Sequence, residues 1–128
     1  MRFLLDTHLV LWASLRVERL PAGVPEILND PANQLLFSVT TIWEVAIKFA
    51  LQRADFTADP VPLRQSLLDG GYTELAVAGP HALAVAHLPH IHRDPFDRLL
   101  VAQALVEGVT LLTADPVLGR YPAPVRVV

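Results

Sequence analysis

Apolar residues arrive in short unbroken runs, separated by stretches in which they recur at helical spacing. Residues 2–5 form the first run and end at Asp6, which predicts a buried strand. Thr7 to about Leu15 follows as a helix carrying Leu9, Val10, Leu11 and Trp12. Val24–Asn29 predicts a second helix and Gln34–Val39 a second strand. Thr41 then opens a helix to about Gln52, in which Ile42, Val45, Ala46, Phe49 and Ala50 keep helical spacing. Asp55–Pro62 is polar and proline-bearing and reads as a loop, and Leu63–Leu68 as a helix stopped by Gly70-Gly71. Thr73–Val77 reads as a third strand and His81–Leu88 as a short helix after Gly79-Pro80. Pro89–Asp94 is a loop, and Pro95–Glu107 a helix closed by Gly108. Val109–Thr113 predicts the fourth strand, and Val125–Val128 a short fifth.

Strands that alternate with helices, each apolar throughout, predict a parallel sheet covered on both faces. The expected architecture is α/β, a sheet of about five strands sandwiched between helices. The 128 residues are read as one domain, 1–128. Apolar residues make up 52 % and charged residues 18 %, which excludes disorder and leaves room for a patch that another chain covers. A partner or a homodimer is expected on that ground.

Charge alters the picture little. The net charge of −3 does not mark a generic nucleic-acid binder. Nine of the ten cations are Arg and only Lys48 is Lys, a bias that genome composition explains as well as phosphate binding does. The absence of cysteine excludes disulfides, thiolate metal sites and cysteine nucleophiles. There is no run of about 18 apolar residues to span a membrane. Asp6 and His8 interrupt what would otherwise imitate a signal peptide, so a cytoplasmic protein is expected.

The chemistry lies in where the acids fall. Asp6 ends the first strand, Glu44 sits in the first turn of the helix after the second, Asp97 in the first turn of the Pro95 helix, and Asp115 follows the fourth strand. In an open parallel sheet, ligands bind beyond the carboxyl ends of the strands. Asp97 joins the other three if the 89–94 loop returns to that edge. Capping is the competing explanation for each acid. Thr41-Ile42-Trp43-Glu44 matches a capping box, Asp94-Pro95 and Asp115-Pro116 match a cap followed by proline, and Asp6 can cap its own helix. Four carboxylates gathered from distant segments would nonetheless repel one another and call for cations. Hard oxygen ligands select Mg²⁺ or Mn²⁺, and such a site suits metal-assisted phosphodiester hydrolysis without a side-chain nucleophile.

The residues also carry a resemblance. Leu4-Leu5-Asp6-Thr7-His8 resembles the opening of PIN-domain toxins of the VapC type, and Trp43-Glu44-Val45-Ala46-Ile47-Lys48 their second acidic motif. The string from His92 to Ala104, with Asp94-Pro95-Phe96-Asp97-Arg98 at its centre, resembles the third and is the most specific. Thr113-Ala114-Asp115, with Leu118 and Tyr121, resembles the fourth. The resemblance spans essentially the whole chain in order. It implies a PIN-like domain, endoribonuclease activity on RNA with Mg²⁺ or Mn²⁺, a cognate antitoxin and dimerisation. It makes Asp6, Glu44, Asp97 and Asp115 the acidic tetrad, with Asp6 and Asp97 in direct metal contact and Glu44 and Asp115 holding metal waters or a second ion. Thr113 would orient Asp115 or a water, and Asp94 would be an N-cap first and an auxiliary acid second. The net charge of −3 departs from the family's more basic character.

Arg93 and Arg98 flank the acids and can bind RNA phosphate or pair with the acids themselves. His90 and His92 read as loop residues rather than a transition-metal pair, and His8 as a helix-surface residue. Trp12 and Trp43 read as core or dimer face before base-stacking platforms. Two rivals to the nuclease remain for comparison. A catalytically silent PIN-like binding module has no need for all four acids. A phosphotransfer fold needs a late lysine, and Lys48 lies mid-chain.

Overall fold

In a computed structural model describing residues 1–128, the first apolar run, β1 (Arg2–Leu5), becomes the centre of a sheet. The other strands are β2 (Gln34–Ser38), β3 (Thr73–Leu75), β4 (Thr110–Thr113) and β5 (Val125–Val127). They lie in the order β3-β2-β1-β4-β5, and every neighbouring pair is parallel. Leu4 stands opposite both Leu36 and Leu111, which sets the register at the centre.

Strand alternation divides the core into two layers. Phe3, Leu5, Phe37 and Leu112 face one side, where they meet Leu9 and Val10 of α1 (Thr7–Leu15), Val24 of α2 (Val24–Asn29), Val45 of α3 (Val39–Ala50), and Leu63 and Leu67 of α4 (Pro60–Asp69). Leu4, Leu36 and Leu111 face the other, against Leu100, Val101 and Ala104 of α6 (Pro95–Glu107). The short α5 (Gly79–Val85) packs on α6, and one-turn 3₁₀ helices occupy Val17–Arg19 and Leu118–Arg120. Continuous apolar strands are thus explained by burial on both faces. No helix is long and apolar enough to cross a membrane.

Most elements fall where the apolar pattern puts them, and the differences have local causes. Helix α3 begins at Val39 rather than Thr41, because the Ser38 hydroxyl caps it by accepting from Thr40 N–H at 2.9 Å. Thr41 is therefore inside the helix, the expected Thr41–Glu44 capping box does not form, and Glu44 lies in the second turn instead of the first. Helix α4 starts at Pro60, within the stretch expected to be loop. First-turn N–H groups have no intrahelical partner, so proline costs nothing there, and the Asp59 carboxylate caps the helix through Val61 N–H. Helix α6 ends at Gly108, whose φ of +65° closes it in the left-handed region.

This topology has one switch point. The chain runs outward from β1 through β2 to β3, then returns to the other side of β1 to form β4 and β5. The crevice beyond the carboxyl ends of β1 and β4 is where such a sheet opens.

Candidate active site

Asp6 and Asp115 reach that crevice from the ends of adjacent strands. Asp6 extends the ladder, its backbone N–H donating to Leu112 C=O at 3.0 Å. Its carboxylate is 2 % exposed and held on both oxygens: Oδ1 accepts from Leu9 N–H at 2.9 Å, capping α1, and Oδ2 accepts from the Thr113 hydroxyl. Asp6 thus caps α1 and lines the cleft at once. Burial pushes its carboxyl above the ordinary range, against the lowering effect of those hydrogen bonds. The Thr113 hydroxyl also accepts from Asp115 N–H at 3.0 Å, so Thr113 fixes the Asp6 side chain together with the Asp115 backbone. Asp115 Oδ1 in turn accepts from Val117 N–H at 2.9 Å.

The 89–94 loop does return to this edge. Asp94 caps α6 through Phe96 N–H at 2.8 Å and Asp97 N–H at 3.3 Å. With the first turn fixed, Asp97 faces the cleft. Asp6, Asp97 and Asp115 line one cavity of about 320 Å³, whose remaining wall is His8, Trp12 and Ala114. The Asp97 side chain is 17 % exposed and accepts no hydrogen bond within bonding distance, with His92 Nε2 standing 3.5 Å away. Burial first, then the like charge of Asp94, with lesser additions from Asp6 and Glu44, push its carboxyl up to about 7. Desolvation does most of this, and the carboxylates gathered around the cavity add to it.

Glu44 stands behind this group rather than lining the cavity. The Thr7 hydroxyl donates to its Oε1 at 2.8 Å, and Lys48, one turn on, donates to Oε2 at 2.8 Å. Thr7 spends its proton on Glu44, so in the 3.0 Å contact between the two hydroxyls Thr41 is the donor. The resulting relay, Thr41 to Thr7 to Glu44, ties α3 to α1.

The cations divide. Arg98 donates to the carbonyls of Pro89 at 2.8 Å and Val85 at 3.2 Å and to Tyr121 Oη at 3.3 Å, so it fastens the loop and pairs with no acid. Arg93 is exposed and shares with His90, Ile91, His92 and Arg98 a groove of about 600 Å³. His90 is exposed in that groove, whereas His92 is drawn into the acid cluster, 3.2 Å from Asp115 Oδ2. Sequence reasoning missed His92, Thr7 and Lys48 as site residues. Only Lys48 carried a signal, its position four residues after Glu44.

The donor set fits a hard divalent cation, since three carboxylates converge on one cavity and none carries an ion-paired Lys or Arg.

Comparison with known proteins adds three observations. The chain matches the PIN-domain family over residues 3–124. Ribonuclease VapC22 of Mycobacterium tuberculosis is 29 % identical to it over 126 residues, which are 97 % of this chain and 96 % of that protein. Among solved structures, VapBC2 from Rickettsia felis bound to a DNA fragment from their promoter aligns with a TM-score of 0.70 at 16 % identity, covering 99 % of this chain and 98 % of that one. The VapBC-5 toxin–antitoxin member from Mycobacterium tuberculosis aligns at 0.65 and 18 %, covering 99 % and 97 %. At those identities the structural matches speak for the fold.

Proposed function

Because the chain belongs to the PIN-domain family, we propose that it is a metal-dependent endoribonuclease and the toxin of a toxin–antitoxin pair. The observation that carries this reading is the meeting of Asp6, Asp97 and Asp115 in one cavity at the switch point of the sheet. The likeness to a ribonuclease over nearly the full length of both chains supports it.

In this reading Asp6, Asp97 and Asp115 hold Mg²⁺ or Mn²⁺. The bound cation supplies positive charge beside the scissile phosphate and acidifies water. The protein's part is placement. Thr113 and the start of α1 hold Asp6, the Asp94 cap presents Asp97, and Thr7 and Lys48 hold Glu44 as outer support. Arg93, in the adjoining groove beside His90, offers a cationic approach for the RNA backbone. Arg98, committed to the loop, lines the same groove.

A protein partner belongs to the same reading. Trp43, Leu51 and Val61 on and after α3, and Leu83 on α5, are more than half exposed, which is unusual for large apolar side chains. An antitoxin and a second copy of the chain are the proposed occupants, in keeping with the toxin–antitoxin assemblies among the structural matches.

The test is cleavage of a mixed RNA pool by purified protein with Mg²⁺, Mn²⁺ or EDTA, beside Asp97→Asn. Metal-dependent cleavage that the variant loses supports the reading. Wild-type cleavage retained by the variant removes the site assignment. No cleavage by protein freed of any partner turns the conclusion to the silent binding module.

A further inference from the structure

His92 sits at the edge of the acid cluster, and its two ring nitrogens have different partners. Nδ1 accepts from the backbone N–H of Asp94 at 3.0 Å, closing a two-residue turn of the kind Asx side chains make. A backbone N–H can only donate, so Nδ1 must present a lone pair. The ring proton is therefore on Nε2, which stands 3.2 Å from Asp115 Oδ2 and 3.5 Å from Asp97 Oδ2. The residue is pinned at its backbone too, where its N–H donates to Tyr121 Oη at 2.8 Å. His92, Asp97 and Asp115 each offer an atom within 4.8 Å of the others, which would pass for a three-ligand metal site. A ring nitrogen that carries its proton, however, has no lone pair for a cation. In this tautomer only the two carboxylates can be ligands.

We propose that His92 is a fixed Nε2–H donor of the acid site, outside the cation's ligand set, and that during turnover its acceptor is a non-bridging oxygen of the scissile phosphate. The second half rests on the nuclease reading above; the first does not. In the ion-free chain the N–H donates to Asp115 Oδ2 and stands 3.5 Å from Asp97 Oδ2. It competes with a cation for those lone pairs. His92 also lines the groove it shares with His90 and Arg93, so its N–H stands where that groove meets the acids. An anionic phosphate oxygen arriving by that route is a fitting acceptor for it.

Two substitutions separate the donor from the turn. In His92→Asn the amide oxygen can still accept from Asp94 N–H, but nothing reaches the Nε2 position. In His92→Gln the amide nitrogen reaches it. Mn²⁺ is the probe, read by EPR for binding and for nitrogen-14 coupling to the ion. The expected wild-type spectrum has no coupling from a coordinated imidazole, and His92→Asn binds Mn²⁺ as tightly as wild type or a few-fold tighter. On RNA, His92→Asn should lose about 100-fold in kcat with KM little changed, the size of effect seen when one transition-state donor is removed. His92→Gln should recover about tenfold of that loss. Imidazole coupling in the wild type, or Mn²⁺ affinity falling 30-fold or more in His92→Asn, would make His92 a ligand and overturn the proposal. Unchanged kcat in His92→Asn overturns its second half. Should the wild type cut no RNA, the nuclease reading fails by itself, and the Mn²⁺ spectra still decide between donor and ligand.

Discussion

The Thr113 hydroxyl serves two groups at once, donating to Asp6 and accepting from the Asp115 backbone. Thr113→Val keeps the shape, leaves a buried carboxylate oxygen and a backbone N–H short of a partner, and should cost about 1–3 kcal/mol in urea denaturation. Thr113→Ser should restore most of it. Asp97 gives the opposite sign. Its carboxyl is raised to about 7 in the folded chain, from an ordinary value of 3.8. Between those values the folded state holds a proton that the unfolded state has lost. Stability of the ion-free protein should therefore fall as pH rises through that window and level off above 7. Asp97→Asn removes the burden, so in EDTA at pH 8 it should be more stable than wild type by roughly 1–3 kcal/mol. Thermal melts from pH 5 to 8 check this, and a variant less stable than wild type at pH 8 would contradict it. A cation must displace that same proton, so Mn²⁺ affinity should rise over the same window.

Among the elements, α6 carries the most chemistry per residue. Its N-cap, Asp94, positions Asp97 and also burdens it with a second negative charge. Asp94→Ala should cost about 1 kcal/mol of stability through the lost cap. It should also bring the Asp97 carboxyl down from about 7, which titration followed by carboxyl NMR reads directly. Helix α3 shows how a shift of two residues changes a residue's meaning. With Ser38 as the cap, Glu44 is released from the helix end and turns toward Thr7 of α1. Buried Gln103 of α6 makes the corresponding tie on the other side, accepting from the Ser38 and Thr40 hydroxyls and donating to Ala76 C=O. The start of α3 is thereby held between α1 and α6, the helices that bear His8, Trp12 and Asp97.

At the scale of the molecule, the order β3-β2-β1-β4-β5 puts β1 and β4 side by side at the reversal of the chain, and Asp6 and Asp115 follow from that adjacency. The exposed apolar side chains belong to this scale as well. If they are covered by a second copy, light scattering of the purified chain should give twice its mass of 14.1 kDa, independent of salt. A single chain mass at micromolar concentration would remove the homodimer from the proposed function and leave the antitoxin as the occupant.

The sequence by itself determined the alternation of strands and helices, because burial on both faces of a parallel sheet writes unbroken apolar runs such as Phe3-Leu4-Leu5 and Leu35-Leu36-Phe37. It also showed that Asp6, Asp97 and Asp115 lie where elements end or begin, since local chemistry of caps and prolines marks those ends. Caps were less legible where two readings compete: Ser38 and Thr41 are both good N-caps, and Asp59 lies in a proline-bearing stretch that reads equally as loop. Packing chose between them. What only the tertiary structure decided is which polar groups meet. Arg98, beside the acids in sequence, turns to the carbonyls of Pro89 and Val85, while His92, five residues before Asp97, turns into the cluster. A side chain's partner depends on where the chain brings distant donors and acceptors together, and no local pattern of apolar and polar residues records that.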